Sequence, residues 1–424
     1  MQRDNALGRA GASAGEVSGL EGSDPVVSGS RGRTPRGRPE DGHVLIATML
    51  RRSGTVGVQT HVTQVVELLR GQGQQVRVVS PGRSFPVVGP ALLVPGRVAR
   101  RVRNEVGVRA ERSWNRHVLQ LALMREFRNA RPSAIYAQDP RSAHAALTVR
   151  GSEDIPVVVM AVHYNESQAQ ELAEQGLIAF DGTTDRSIRA FEADLLPRLD
   201  GLVFVSNFMR EHLHDTVPAT RGVPSIVVPN FLGPLVPDLE RRAVMPLRDC
   251  ITVGNLVERK NHRYLLEVLA ATRRLEHRYT LTVVGNGPNR EALERRARLL
   301  GVADQVLFTG ARRDVDRLLA RHRLYVHSAT MENLPFALLE AFRGGLPVIA
   351  GRVGGIPEVI GPELAGRYWD LSDPEEGARV LETLLEDPAT MRVVSCHALA
   401  RFEQEFSAGA AGSALVDFLS SPPR

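Results

Sequence analysis

From residue 43 onward, short runs of β-branched and apolar residues alternate with longer segments in which apolar positions recur every three to four residues. The short runs suit buried strands and the longer segments amphipathic helices. In the first half the pattern predicts strands at 43–49, 75–80, 134–138, 156–162, 201–206 and 225–229. A helix is predicted over about 58–70, and a long Arg-rich helical stretch ends at Asn129. A proline-bearing segment without periodicity then interrupts the rhythm. It restarts with strands at 250–254, 280–285, 305–310, 324–328 and 347–350, and helices near 263–274, 289–300, 313–320 and 335–343. Near-continuous apolar strands alternating with helices imply a parallel sheet covered on both faces. The fold class is therefore α/β, with two doubly wound domains facing across a cleft and ligands at the carboxyl ends of the strands.

The domain reading is a disordered tail over 1–40, a first domain over 41–232, a linker over 233–248, a second domain over 249–405 and a tail over 406–424 with a helix able to return to the first domain. The leading 40 residues are rich in Gly, Ser, Pro and Arg and carry too little apolar surface to offset the entropy of ordering. A chain of 424 residues with 43% hydrophobic content is long enough for two cores. No apolar run reaches the ~20 residues of a membrane span, and the start lacks the order of a secretory leader. Cys250 and Cys396 are the only cysteines, which excludes a disulfide framework and a thiolate metal site. The composition reads as a reduced, cytoplasmic protein. A net charge of +5 suits anionic ligands without choosing among them.

Of the 53 Lys and Arg residues only Lys260 is a lysine. Where Lys is otherwise replaced by Arg, a surviving ammonium points to a site that needs a compact charge. It lies in Val253-Gly254-Asn255-Leu256-Val257-Glu258-Arg259-Lys260-Asn261, just past a strand, where it can meet a diphosphate. A cation placed there stabilises a leaving group as negative charge builds on it. The segment from Thr330 to Ile360 is the second candidate. Glu332 and Glu340 are eight residues apart. Pro335 suits the first position of a helix, so Glu332 falls in the loop before it and Glu340 in its second turn. The two carboxylates can then read different parts of one long ligand, with free N–H groups between them as an anion site.

The first βα loop, Ser53 to His61, contains Gly54 and Gly57 but matches neither GxGxxG nor a P-loop. It is read as a phosphate- or acceptor-facing loop that includes His61. The missing GxGxxG also argues against a nicotinamide oxidoreductase. His163 follows a strand, where its ring can donate to a ligand hydroxyl. The Arg-rich stretch over 97–116 is a solvated helix face or a contact with an anionic membrane surface. Its few aromatic residues argue against single-stranded nucleic acid.

The run from Glu332 to Ala350, with Val284-Gly285-Asn286-Gly287-Pro288, the Val253–Asn261 segment, Phe204-Val205-Ser206 and the 54–61 loop, resembles the GT4 family of glycosyltransferases over about 43–405. The resemblance implies the GT-B fold, with two Rossmann-like domains, and a retaining, metal-independent transfer of a sugar from a nucleotide-diphosphate donor, UDP-linked before GDP-linked. No cofactor beyond this co-substrate is implied. The acceptor is a glycan, lipid-linked or small-molecule hydroxyl. It further implies that Lys260 binds the diphosphate and that Glu332 holds hydroxyls of the transferred sugar, with backbone N–H groups near Asn333 and Leu334. Glu340 then holds the ribose, Gly310 lies near the base, His163 contacts the reacting sugar and Gly57 allows close approach. Gly254, Asn255 and Arg259 complete the donor-binding set. The chain departs from the family where Asn255 replaces a common Arg, where Asn333 to Pro335 replace a Phe-Gly, and at Asn230-Phe231. These departures keep open an idle scaffold that binds nucleotide sugar without turning it over.

Overall fold

The computed structural model describes residues 43–49, 57–82, 105–153, 156–164, 166–235, 248–361 and 365–420. The expected disordered tail over 1–40 and the Gly54 part of the first loop lie outside the described residues, as do Arg97 to Arg103 of the Arg-rich stretch and most of the linker.

The first sheet contains β1 (Val44–Ala47), β2 (Val76–Val79), β3 (Ala134–Ala137), β4 (Val157–Val162), β5 (Gly201–Phe204) and β6 (Ser225–Val227). All pairings are parallel, in the order β2-β1-β3-β4-β5-β6. β1, β3 and β5 are buried at every position, as a sheet covered on both faces requires. The helices that cover it are α1 (Gly57–Gly71), α2 (Glu105–Asn129), α3 (Pro140–Arg150), α4 (Gln168–Glu174), α5 (Thr183–Leu195) and α6 (Asn207–Thr216). Asp139 begins α3 by accepting the N–H groups of Arg141 and Ser142, and Ser206 caps α6 through Met209.

The second sheet contains β7 (Arg248–Val253), β8 (Leu281–Val284), β9 (Val306–Gly310), β10 (His322–His327), β11 (Val348–Gly351) and β12 (Gly366–Trp369). It is also parallel, in the order β12-β11-β10-β7-β8-β9. Counted from β7 the strand order reverses between β7 and β10, so the loops leaving these two neighbours diverge and open a crevice at their carboxyl ends. Its helices are α7 (His262–Arg274), α8 (Arg290–Leu299), α9 (Val315–Leu319), α10 (Phe336–Arg343), α11 (Ile356–Ile360), α12 (Pro374–Leu385) and α13 (Pro388–Arg401). The two parallel six-stranded sheets with flanking helices give the α/β two-domain architecture of the GT-B class. Pro335 is extended (φ −74°, ψ 130°) and precedes α10 rather than opening it. β12, α12 and α13 carry no predicted element; the Gly-Arg-Tyr-Trp of β12 lacks the apolar continuity of the inner strands.

The last described element is α14 (Ala408–Ser420), whose Leu415, Val416, Phe418 and Leu419 belong to the same buried cluster as Val44, Ile46 and Tyr136 of the first sheet. A Cβ on Gly201 would lie 2.8 Å from the Phe418 ring, so the missing side chain makes room for the returning helix. Backbone bonds from Leu232 to Phe406 and from Ala408 to Leu232 fix the crossing. Phe418→Ala removes a ring from this core and is expected to cost about 3–5 kcal/mol. Chemical denaturation of wild type and variant measures it, and a difference within about 1 kcal/mol would mean the helix is not integral to the first domain.

Candidate functional site

Lys260 and Glu332 arrive from the two loops that diverge at the switch point of the second sheet. Gly254 follows β7, and a Cβ there would lie 3.6 Å from Cε of Lys260, so the lysine stem lies across bare backbone. A short 3₁₀ turn, Glu258–Lys260, then closes on Asn261, which takes a left-handed conformation (φ 48°). The Lys260 ammonium donates to Oε1 of Glu332, and Nη1 of Arg259 donates to the same oxygen at 3.0 Å. Burial alone would raise the Glu332 carboxyl; Lys260 and Arg259 outweigh it and hold the group at about 2. A buried carboxylate gripped by two cations is thus fixed in its charged, acceptor-only form.

The loop bearing Glu332 is held from below by glycines. At Gly354 (φ +53°) a Cβ would sit 1.9 Å from the carbonyl oxygen of Glu332, and at Gly355 the same distance from that of Asn333. Gly355 also donates its N–H to Glu332 O at 2.9 Å. The strand ends beside Lys260 are packed just as closely. Gly285 (φ +148°) lies against Gly254, where a Cβ would meet the carbonyl oxygen at 1.8 Å, and its N–H bonds to Gly310 O. Gly310 itself has φ +75°.

The first domain closes on these loops. The Asn333 side chain accepts from Ser206 Oγ at 2.8 Å and donates to Tyr164 O at 3.1 Å. Asn230 donates to Leu334 O at 2.7 Å. Arg259 reaches Glu174 of α4 at 3.6 Å, and Glu358 of α11 accepts the N–H groups of Asn207 and Phe208 at the start of α6. Gly57 opens α1 facing Phe336, where a Cβ would stand 3.4 Å from the ring. Among the described residues the backbone N–H groups of Asn333 and Leu334 make no hydrogen bond.

His163 is half-buried after β4 and donates from Nε2 to Oε1 of Gln138 at 3.0 Å, which leaves Nδ1 as an acceptor. Burial first, and then His61, depress its pKa well below the ordinary imidazole value. His61 corrects the loop reading: it lies inside α1, is 1% exposed, and has both ring nitrogens engaged, with Asn230 and with Tyr136. Its ring meets His163 edge-on at 4.6 Å between centroids. It therefore positions neighbours and offers nothing to a ligand, and Gly57 likewise belongs to a helix rather than a loop.

Glu340 lies in the second turn of α10, where burial and Asp316 push its carboxyl up to about 7 against the pull of Arg343. Asn255 is exposed past β7. The structure therefore brings Lys260, Arg259, Glu332, Asn333, Leu334 and Gly254 together around the crevice. Glu171 of α4 was missed by the sequence reading. Burial raises it to about 7, with Arg259 opposing and Glu174 and Glu332 adding to the rise. The Glu-x-x-Glu step on a short helix was its only signal. Gly354 and Gly355 were also missed, since close backbone contact leaves no mark beyond the Gly-Gly pair.

A family profile described as "Glycosyltransferase Family 4" matches residues 55–232, and one described as "Glycosyl transferases group 1" matches 245–399. A GDP-mannose-dependent alpha-(1-6)-phosphatidylinositol monomannoside mannosyltransferase of Mycolicibacterium smegmatis is 30% identical over 218 residues, covering 47% of this chain and 57% of that protein. A glycogen synthase of Mycobacterium tuberculosis is 24% identical over 290 residues, or 68% of each chain. Among solved structures, Anabaena HepE in complex with UDP and glucose superposes with a TM-score of 0.60 at 17% identity, covering 89% of this chain and 99% of that one. Sucrose-phosphate synthase of Thermosynechococcus elongatus gives 0.69 at 17% identity, with 89% and 98% covered. At these identities the two structures speak to the fold.

The elevated Glu340 carboxyl has a stability consequence. Its folded value of about 7 lies above the ordinary 4.5, so the proton favours the folded state. That contribution is full below pH 4.5 and is lost as pH rises through 7. Glu340→Gln removes it. The wild-type stability minus that of the variant should fall between pH 4.5 and 8 in parallel denaturation series, and pH-independent spacing of the two curves would refute the burial of this charge.

Proposed function

The chain belongs to the GT4-type glycosyltransferases, and from that premise we propose that it is an active retaining transferase that moves a sugar from a nucleoside-diphosphate donor to an acceptor hydroxyl without a metal. The observation that carries the reading is the Lys260–Arg259–Glu332 cluster at the switch point, lined by unpaired backbone N–H groups. Lys260 and Arg259 take the diphosphate, and Arg259 supplies the second cation that Asn255 does not. Glu332 accepts hydroxyls of the transferred sugar, for which a carboxylate locked in its charged form is suited. Glu340 accepts from the ribose. The N–H groups of Asn333 and Leu334 face the phosphates or the sugar, as at other helix starts that hold anions.

In the transfer, the acceptor oxygen bonds to the anomeric carbon as the bond from that carbon to the phosphate oxygen breaks. The acceptor proton passes to the departing phosphate on the same face, so configuration is retained. Lys260 and Arg259 stabilise the charge that develops on the diphosphate and so favour the transition state over the ground state. His163, neutral and fixed by Gln138, presents Nδ1 to a sugar or acceptor hydroxyl. A UDP-sugar is the first donor to try. HepE was crystallised with UDP, whereas the mycobacterial relative is named for GDP-mannose, so both bases belong in the panel.

Lys260→Ala and Glu332→Ala are each expected to lower transfer at least ~10²-fold, the scale of losing one charge-stabilising group. A panel of nucleotide sugars read by thermal shift identifies the donor, because a selective ligand raises apparent stability by mass action. Wild-type turnover in both variants would refute the site. Donor binding with neither transfer nor hydrolysis would favour an idle scaffold instead.

A further inference from the structure

A second cavity, of about 200 Å³, lies in the first domain between α2, α3 and α5. Arg109, Arg112 and Arg116 line it from one face of α2, spaced three and four residues apart. Arg141 enters from the first turn of α3, and Ser113 and Ser187 add hydroxyls. Ile188 and Phe191 form an apolar wall. Among the described residues no carboxylate lines the cavity.

The abundance of arginine in this chain does not account for that arrangement. Many of its other arginines are matched with acids, as in Arg77–Glu126, Arg131–Glu153, Arg189–Asp185 and Arg343–Asp316. Within the described residues Arg109 and Arg116 have no hydrogen bond or ion pair, although the Glu105 carboxylate one turn before Arg109 feels its charge. The buried Nε of Arg116 has no hydrogen-bond partner, and that of Arg141 has none beyond a 3.8 Å ion pair with Asp139. Arg112 gives one bond, at 3.0 Å, to Gln168. Burial and then the neighbouring Arg141 push it down to about 10, against Glu192, Asp139 and Glu111. Arg109 is exposed and Arg112, Arg116 and Arg141 are partly buried, and like charges gathered this closely are stabilised by a compact anion of complementary geometry, which a phosphate accepting forked guanidinium bonds provides.

The cavity adjoins the crevice. Gln168, bonded to Arg112, begins α4, and the same seven-residue helix carries Glu171 and Glu174 toward Arg259. At 1.5 Å per residue α4 is about 10 Å long. Arg141 lies three residues after Gln138, the partner of His163. We propose that the Arg109–Arg112–Arg116–Arg141 cavity binds the phosphate ester of the acceptor and holds its hydroxyl toward the donor crevice. This rests on the transferase reading above and narrows its acceptor to phosphate-bearing molecules, whether a lipid headgroup or a soluble sugar or polyol phosphate.

The test titrates the full chain with sn-glycerol 3-phosphate in calorimetry, in the presence of UDP, and sediments it with phosphatidylglycerol or phosphatidylcholine vesicles. Arg109→Gln/Arg116→Gln, which removes no hydrogen bond or ion pair among the described residues, is expected to bind glycerol phosphate at least about tenfold more weakly, two charge-assisted contacts having gone, with UDP affinity unchanged. Lys260→Ala is expected to do the reverse. Retention on phosphatidylglycerol vesicles that the double variant loses assigns a lipid source, and glycerol phosphate binding without retention assigns a soluble one. Equal binding by wild type and double variant overturns the proposal, as does loss of glycerol phosphate binding in Lys260→Ala. Failure of UDP to bind while glycerol phosphate still discriminates the double variant would sink the donor reading alone.

Discussion

The carboxylate of Glu332 is buried and could not stay charged without the two cations that grip it. A lone charge out of water is costly, and removing either partner of such a group usually costs more than the pair itself contributes. Lys260 and Arg259 come from the loop after β7, and Glu332 from the loop after β10. The pairing therefore sutures the two loops that the strand order drives apart, and it defines the floor of the crevice. Because Arg259 also reaches Glu174, the same charges draw the first domain toward the second.

Close packing fixes what the charges attract. Gly254, Gly285, Gly354 and Gly355 let backbone meet backbone, so the loops are positioned by contacts that no side chain could enter. Asn333 and Asn230 spend their amides on the opposite domain, which leaves nearby main-chain N–H groups for a ligand. One of the places where the chain departs from its family, Asn333, thus serves domain closure; Asn230 does so too and also orients His61.

The first domain works differently. Its site side is built from a buried polar network, Tyr136–His61–Asn230 beside His163–Gln138, in which each ring is held by a partner distant in sequence. Burial keeps both histidines neutral, so they orient and accept and carry no charge. The arginine cavity lies at the other end of α4, and that one short helix borders both sites.

The sequence alone determined what local chemistry determines. Apolar continuity within strands, helical periodicity between them and the break near the linker specified two parallel-sheet domains. The unique Lys260 and the Glu332 loop before a helix, with the Gly and Pro residues around them, marked the candidate site of the second domain, where the two side chains meet. Those signals are readable because each is a property of neighbouring residues. Tertiary structure decided the rest. His61 looks like part of a loop until Asn230 and Tyr136 are seen to enclose it; Glu171 and Glu174 are ordinary surface acids until α4 is set against Arg259. Four arginines among 52 become a cavity only when α2, α3 and α5 pack together, and the last helix joins the first sheet only because Gly201 leaves space for Phe418. Burial and charge pairing depend on residues far apart along the chain, and no local pattern encodes which of them will meet.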